Sequence, residues 1–327
     1  MSMSNVRRLG SQFTISIPSD PDGYRGRECP QCNGYFKIVP GTGLTGSNLP
    51  CVCPYCGHRG SNEKFITQDQ LKYAKSVVLN QVTGALMKDL KAMEFNHPAR
   101  GSFGIGISLK VTKGEAHPIR HYREKALETE LVCDGCTLKY AIYGLFAHCP
   151  DCGAHNSRQI LENNLSLAEK ELVLATASAE RGLADHLRGD ALENVVSSFD
   201  GFGRKVCAIG STYATNSGRA NSTSFQNLKR AQTQVLSLFA FDLSSVLSVD
   251  GWNAALRGFQ KRHLLAHTMG IVDADYIAMT SDRSVAIGRK VIITNEEVMG
   301  LISIVRKMAA GLEQNVLKTM TVLSPAP

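Results

Sequence analysis

The run from Trp252 to Tyr276 reads WNAALRGFQKRHLLAHTMGIVDADY, and near its centre stand Arg262, His263, Leu264, Leu265, Ala266 and His267. Apolar residues at Ala255, Leu256, Phe259, Leu264 and Leu265 recur at helical spacing, which predicts an amphipathic helix. Lys261, Arg262, His263 and His267 crowd the same turns, and that density of charged and titratable groups asks for a chemical reason. Arginine offers a permanent charge on a planar fork of donors, and histidine both takes and gives a proton near neutral pH. Together they supply what phosphodiester cleavage without a metal needs: a base for the attacking hydroxyl, an acid for the leaving oxygen and a cation for the developing charge. A helix turns about 100° per residue, so Arg262 and His267 stand roughly 140° apart. One straight helix does not aim both at one atom, whereas two copies about a two-fold axis do.

Arg262 and His267 flank four residues, Gly270, Val272, Asp273 and Tyr276 follow, and a short apolar stretch with Gly288 precedes a closing helical run. This arrangement resembles the HEPN superfamily of all-helical, nucleic-acid-associated domains, whose signature is an arginine, an intervening four to six residues and a histidine, commonly R-N-x-x-x-H. The resemblance covers residues 158–327, and it departs at His263, where many members carry asparagine. It implies a helical bundle that dimerises through the motif. It also implies a metal-independent endoribonuclease, in which the ribose 2′-hydroxyl attacks the phosphate and leaves a cyclic phosphate and a 5′-hydroxyl. Arg262 would then steady the phosphate, His267 would transfer protons and His263 would orient one of them. RNA is the implied substrate and a second copy the implied partner. The implied setting is a toxin or host-defence effector, with an antitoxin or sensor as a further partner.

The same residues admit plainer roles. Arg262 suits an ion pair, His267 suits bracing of a bundle, and Lys261, Lys229 and Arg230 suit solvated charge. His263 and His267, four apart on one helical face, also suit a metal, although no acidic residue separates them as in the metalloprotease pattern and no third ligand is evident. Two other functions therefore stand beside the ribonuclease: a non-catalytic zinc-ribbon nucleic-acid-binding or scaffold protein, and a metal-dependent hydrolase.

Upstream the chemistry changes to cysteine. Cys29 and Cys32 form one Cys-x-x-Cys knuckle, and Cys53 and Cys56 form another after twenty intervening residues. Cys133 with Cys136, and Cys149 with Cys152, repeat the pattern across twelve. Paired knuckles of this kind predict two zinc ribbons, each closing a tetrahedron of thiolates on one structural zinc ion. Cys51 is a spare thiol, because only Cys53 keeps the two-residue gap to Cys56, and Cys207 reads as a small core residue. Gly34 and Gly57 follow knuckles, where a tight reversal favours glycine. Four thiolates leave no open position, so the zinc supports the fold. Lys37, Lys139, Tyr140 and Tyr143 on the ribbon strands are candidates for phosphate contact and base stacking.

With 327 residues and 43% hydrophobic content the chain is long enough for several packed domains. Its formal charge of +7 falls to about +3 once eight thiolates sit on two divalent ions. The first 157 residues hold 18 Lys/Arg against 13 Asp/Glu and the remainder 18 against 16, so neither half is a polybasic arm. No apolar run reaches the roughly 20 residues of a membrane span, and the first residues lack a secretory core. A cytoplasmic protein with reduced thiols and no membrane partner is the expectation.

The expected architecture is multi-domain: a ribbon over residues 1–66, a helical linker with strands over 67–128, a second ribbon over 129–157 and an all-α HEPN-like bundle over 158–327. Strands are expected at 12–17, 35–39, 101–113 and 137–144, and a mobile loop at 41–48. A helix capped by Thr67 is expected to run to about 95. In the second half the patterns predict helices over 158–187, 191–199 and 225–247. The motif helix is expected to open at Asp250 or Gly251, and a final helix to be capped by Asn295. A Gly/Ser/Thr/Asn-rich stretch at 201–224 that contains a loop, and a short hairpin or extended pair at 284–294, complete the reading.

Overall fold

The computed structural model describes residues 3–44, 49–97, 107–112 and 117–322. The chain divides into two compact units, Met1–Ala154 and His155–Pro327. The first contains the short helix α1 (Ser4–Arg8), strands β1 (Arg25–Glu28), β2 (Tyr35–Ile38), β3 (Pro50–Val52) and β4 (Arg59–Ser61), and helix α2 (Gln68–Lys91). Strands β5 (Phe95–His97), β6 (Ile107–Leu109), β7 (Thr129–Val132) and β8 (Lys139–Ile142) follow.

Each ribbon is a hairpin that turns through a cysteine knuckle, β1 to β2 and β7 to β8, and the two hairpins join edge to edge. The result is one antiparallel sheet in the order β1-β2-β8-β7, with Lys37 opposite Ala141 and Ile38 opposite Tyr140 across the seam. The remaining knuckles are tied together by Val52 N–H to the Pro150 carbonyl at 2.7 Å and His148 N–H to the Pro54 carbonyl at 2.9 Å. Neither ribbon has enough apolar surface for a core of its own, and the seam gives both a shared one. Phe36, Phe65, Leu138, Tyr140 and Ile142 fill it, with Phe65 edge-on to Phe36 at 6.1 Å between ring centres.

Helix α2 begins at the expected cap. Thr67 Oγ1 accepts the Gln70 N–H at 3.1 Å and the Gln70 side chain accepts the Thr67 N–H at 3.2 Å, a reciprocal capping box. Gln70 Nε2 also donates to the Gly26 carbonyl at 2.9 Å, so the same residue ties α2 to the outer edge of β1. The helix ends at Lys91, and Phe95–His97 is extended. Residues 12–17 form no strand. Of the strand expected at 101–113, residues 107–109 are β6, and Gly101, Gly104 and Gly106 lie outside the described residues. So do 45–48 of the expected loop.

The second unit is helical: α3 (Ser157–Ala177), α4 (Arg181–Ile209), α5 (Ser217–Asn221), α6 (Leu228–Phe239), α7 (Val249–Thr268), α8 (Ala274–Thr280) and α9 (Asn295–Val322). One core runs through it, with Leu165, Leu172, Val195, Phe199, Phe225, Phe259, Val305 and Leu312 among its members. Phe199 meets Phe225 and Phe259 edge-on at 5.4 and 6.1 Å, the arrangement aromatic quadrupoles favour.

Several boundaries differ from expectation. The helix expected over 158–187 is broken between Ala177 and Arg181, and α4 then runs unbroken past Gly189 and through 201–209. Gly203 explains why a glycine-rich stretch is helical here, since a Cβ there would stand 2.5 Å from the Phe225 ring. Ser248, not Asp250 or Gly251, opens α7 by accepting the Gly251 N–H at 3.1 Å. Thr294 and Glu297 cap α9 reciprocally, at 3.2 Å each way. Asn295 instead reaches the Leu172 carbonyl and Thr176 on α3 at 3.0 and 2.6 Å. Of the short hairpin or extended pair expected over 284–294, the described residues show one bridge, Ile271 with Lys290. Among the described residues no helix is long and apolar enough to cross a membrane.

Candidate active site and metal centres

The eight cysteines of the knuckles gather into two groups of four, Cys29, Cys32, Cys53 and Cys56, and Cys133, Cys136, Cys149 and Cys152. Within each group the four sulphurs lie within 4.8 Å of one another. Cys29 and Cys56 are 3.7 Å apart and Cys32 and Cys53 3.6 Å; the second group gives 3.6 and 3.5 Å. Four thiolates about 2.3 Å from a central ion stand roughly 3.8 Å apart, so both groups have metal-binding geometry. Cys51 is buried outside the first group, and Cys207 is buried in the helical core.

All four knuckles repeat one backbone pattern. The first cysteine's N–H bonds the carbonyl five residues on and its carbonyl accepts the N–H four residues on, at 2.8–3.0 Å. The residue after the second cysteine is left-handed each time: Asn33, Gly57, Thr137 and Gly153, at φ of 56°, 71°, 64° and 74°. The first knuckle therefore uses Asn33 where the sequence pointed to Gly34. Thr137 is β-branched and the least suited of the four to this conformation. Thr137→Gly should raise the stability of this unit by about 1 kcal/mol, read as a higher midpoint in thermal or denaturant melts.

Two of the proposed nucleic-acid contacts on the ribbons do not hold. Lys37 is 9% exposed and paired with Asp20 at 2.8 Å, and Tyr140 is 1% exposed, inside the core. Lys139 and Tyr143 are exposed.

In the helical unit, α7 presents the motif. Leu264 packs with Val272, Tyr276 and Val291, which fixes the rotation of the helix. Its neighbours in sequence, His263 and the half-buried Arg262, thereby face outward. Met269 and Gly270 end the helix in left-handed conformations, and the Gly270 N–H bonds the Leu264 carbonyl at 2.9 Å, a Schellman-type stop. Arg262, His263 and His267 line one open cleft of about 280 Å³, together with Gln226, Gln260, Asp273 and Asp275. The rings of His263 and His267 lie 4.4 Å apart, and both residues are exposed. Asp273 caps α8 through the Tyr276 N–H at 2.7 Å, and the buried Tyr276 donates to Asp282 at 2.8 Å. These two residues thus brace the end of the motif.

Arg262 is held from α4. Its Nε and Nη2 donate to the two carboxylate oxygens of Glu193 at 2.6 and 2.5 Å, and Ser197 donates to the same carboxylate at 3.0 Å. The sequence did not single out Glu193, which lies 69 residues away; its only local signal is a carboxylate set among the core positions Leu192, Val195 and Val196. Lys261, expected as solvated charge, is buried and bonds Glu297 at 2.7 Å and the Ile292 carbonyl at 2.8 Å. It anchors α7 to the segment before α9. Lys229 bonds the Met279 carbonyl at 3.1 Å.

The hydrogen bond from Arg262 holds the Glu193 carboxyl below its ordinary range, against a smaller opposing effect of burial. A depressed folded value means the pair's stabilisation is complete above the unfolded glutamate range and is lost as pH falls through the folded value. Glu193 is 42% exposed, so solvent screening keeps the effect under about 1 kcal/mol. Glu193→Gln should flatten the stability-against-pH curve below about pH 4 and leave it unchanged near neutrality apart from a constant offset.

Among the described residues, the two cysteine sets are the only groups of three or more potential ligands close enough to share an ion. His263 and His267 belong to no such group. No family model, curated protein or solved structure matches the chain.

Proposed function

We propose that the chain is a metal-independent endoribonuclease of the HEPN type, whose N-terminal unit carries two structural zinc ions. The observation that supports this most is the gathering of Arg262, His263 and His267 on one solvent-open cleft. The cleft offers imidazoles for proton transfer and a guanidinium whose orientation is fixed. With Nε and Nη2 on Glu193, Nη1 of Arg262 is left for a phosphate oxygen. His267 transfers protons, and His263, its ring 4.4 Å away, orients one of them. In the metal centres, thiolate-only donor sets at tetrahedral spacing suit zinc.

The substrate is RNA and the partner a second copy of the chain. Met269, Ile287 and Ile292, at 85%, 63% and 73% exposure, stand where the end of α7 meets residues 286–292 through the Val272–Arg289 and Val291–Gly270 backbone bonds. An apolar surface of this kind beside the motif suits a two-fold contact. A toxin or host-defence setting, with an antitoxin or sensor, is the biological reading that goes with such an enzyme.

One observation favours a second reading, a non-catalytic scaffold. Glu193 occupies two donors of Arg262, and Asp273 and Asp275 add negative charge to the cleft, which opposes phosphate.

Mixing the Arg262→Ala and His267→Ala chains under subunit exchange tests the enzyme reading. If arginine of one copy serves histidine of the other, two inactive proteins together recover about a quarter of the parent's cleavage, because half the dimers are mixed and each has one whole site. No recovery contradicts the shared site, and a parent chain that cuts no RNA supports the scaffold.

A further inference from the structure

Arg25 and Arg27 stand two positions apart on β1, so their side chains leave the same face of the sheet. Across the hairpin they oppose Ile38 and Phe36, both members of the module's core, which gives the arginine stems an apolar floor. The Nε atoms of both are enclosed by protein and have no hydrogen-bond partner. An enclosed guanidinium nitrogen is ordinarily matched by an acceptor or an anion, and among the described residues neither arginine forms an ion pair.

The carboxylate nearby, Glu124, is already occupied. Its Oε1 accepts the Gly26 N–H at 2.8 Å and Gln70 Nε2 at 3.3 Å, and its Oε2 accepts the Tyr35 hydroxyl. Glu124 closes the edge of β1 and forms no ion pair with either arginine. Two residues before Glu124, on the segment that closes the edge of β1, is Tyr122. Its ring lies 5.7 Å from that of Tyr73, and Tyr73 lies 6.4 Å from the exposed His121. Cations that form no ion pair and a run of aromatic rings are the two components of a single-strand site: phosphates on the cations, bases on the rings.

We infer that Arg25 and Arg27 bind the phosphates of a single-stranded nucleic acid on the N-terminal unit, with Tyr122, Tyr73 and His121 as its base-stacking surface. This site lies outside the motif cleft and does not depend on cleavage. It also differs from the contacts first expected on the ribbons, of which Lys37 and Tyr140 are withdrawn into the fold.

The probe is a short, fluorescein-labelled 2′-O-methyl oligonucleotide titrated with the full, zinc-loaded chain and read by anisotropy. It has no free 2′-hydroxyl, so failure to bind is distinguishable from failure to cleave. The Arg25→Gln/Arg27→Gln chain should bind at least tenfold more weakly, and its slope of log affinity against log salt should be shallower by about 1.4, the contribution of two phosphate contacts on a single strand. Arg25→Lys/Arg27→Lys keeps the charge and should restore the slope. Tyr122→Leu should weaken binding severalfold with the slope unchanged, and it serves as the deciding variant if the glutamine pair does not retain two zinc ions per chain. Unchanged affinity in the folded glutamine pair, or in Tyr122→Leu when that variant decides, overturns the inference. Equal displacement of the probe by inorganic phosphate at matched phosphate concentration also overturns it, because a small-anion pocket would then account for the arginines.

Discussion

Replacing His267 with alanine is expected to slow RNA cleavage by about two to four orders of magnitude, the range that positioned acid–base groups supply, and to leave thermal stability nearly unchanged. His267 is exposed on the last turn of α7, and the cores around α7 are built from Leu256, Phe259, Leu264 and Tyr276 without it. Exposed substitutions away from packing ordinarily change stability by no more than about 0.5 kcal/mol. A proton-transfer residue and a bracing residue therefore separate cleanly: the first loses rate and keeps its melting temperature, the second loses both. His263→Ala, removing an orienting ring 4.4 Å away, should lose less, about tenfold. Single-turnover cleavage beside a thermal melt of each variant makes the comparison. A large fall in melting temperature for His267→Ala would assign the histidine to structure.

The second large effect is loss of metal. Prolonged chelation, or Cys29→Ser with Cys133→Ser, should unfold the N-terminal unit, because structural zinc contributes on the order of 10–16 kcal/mol in small four-ligand modules. That exceeds the total stability of an ordinary domain. The two metal centres share one sheet and one core, so removal of either ion should disturb both. Titration with chelator should then release the two ions in one cooperative step and not in two. The helical unit has a separate core from Leu161 to Val316, and its amides should keep their hydrogen-exchange protection while those of β1, β2, β7 and β8 lose it. Protection lost equally in both units would show that they fold as one.

What the sequence reveals here follows the range of each interaction. The metal ligands were readable because Cys-x-x-Cys is a local spacing, and so was the Thr67 cap, which needs only Gln70 three residues on. The seam between β2 and β8 was not, since it joins residues about a hundred positions apart and no local pattern announces it. Helix α4 was misjudged for the reciprocal reason: Gly201, Gly203 and Gly210 lower helix propensity, yet Gly203 is demanded by the Phe225 ring packed against it. At the candidate site the motif pointed to Arg262, His263 and His267, and the structure places them on one cleft. It could not point to Glu193, whose partner is on another helix, nor to the burial of Lys261, whose charge is answered by Glu297 from the far side of residues 291–294.

The most direct measurement is the chemistry of the cut ends. End-labelled RNA is incubated with the purified chain under brief chelation, short enough to spare the structural zinc, and the product termini are identified. The account predicts cleavage that persists without free metal and leaves 2′,3′-cyclic phosphate and 5′-hydroxyl ends, as attack by the neighbouring ribose hydroxyl requires. Intact RNA, or cleavage that needs added metal and leaves 3′-hydroxyl and 5′-phosphate ends, would contradict it.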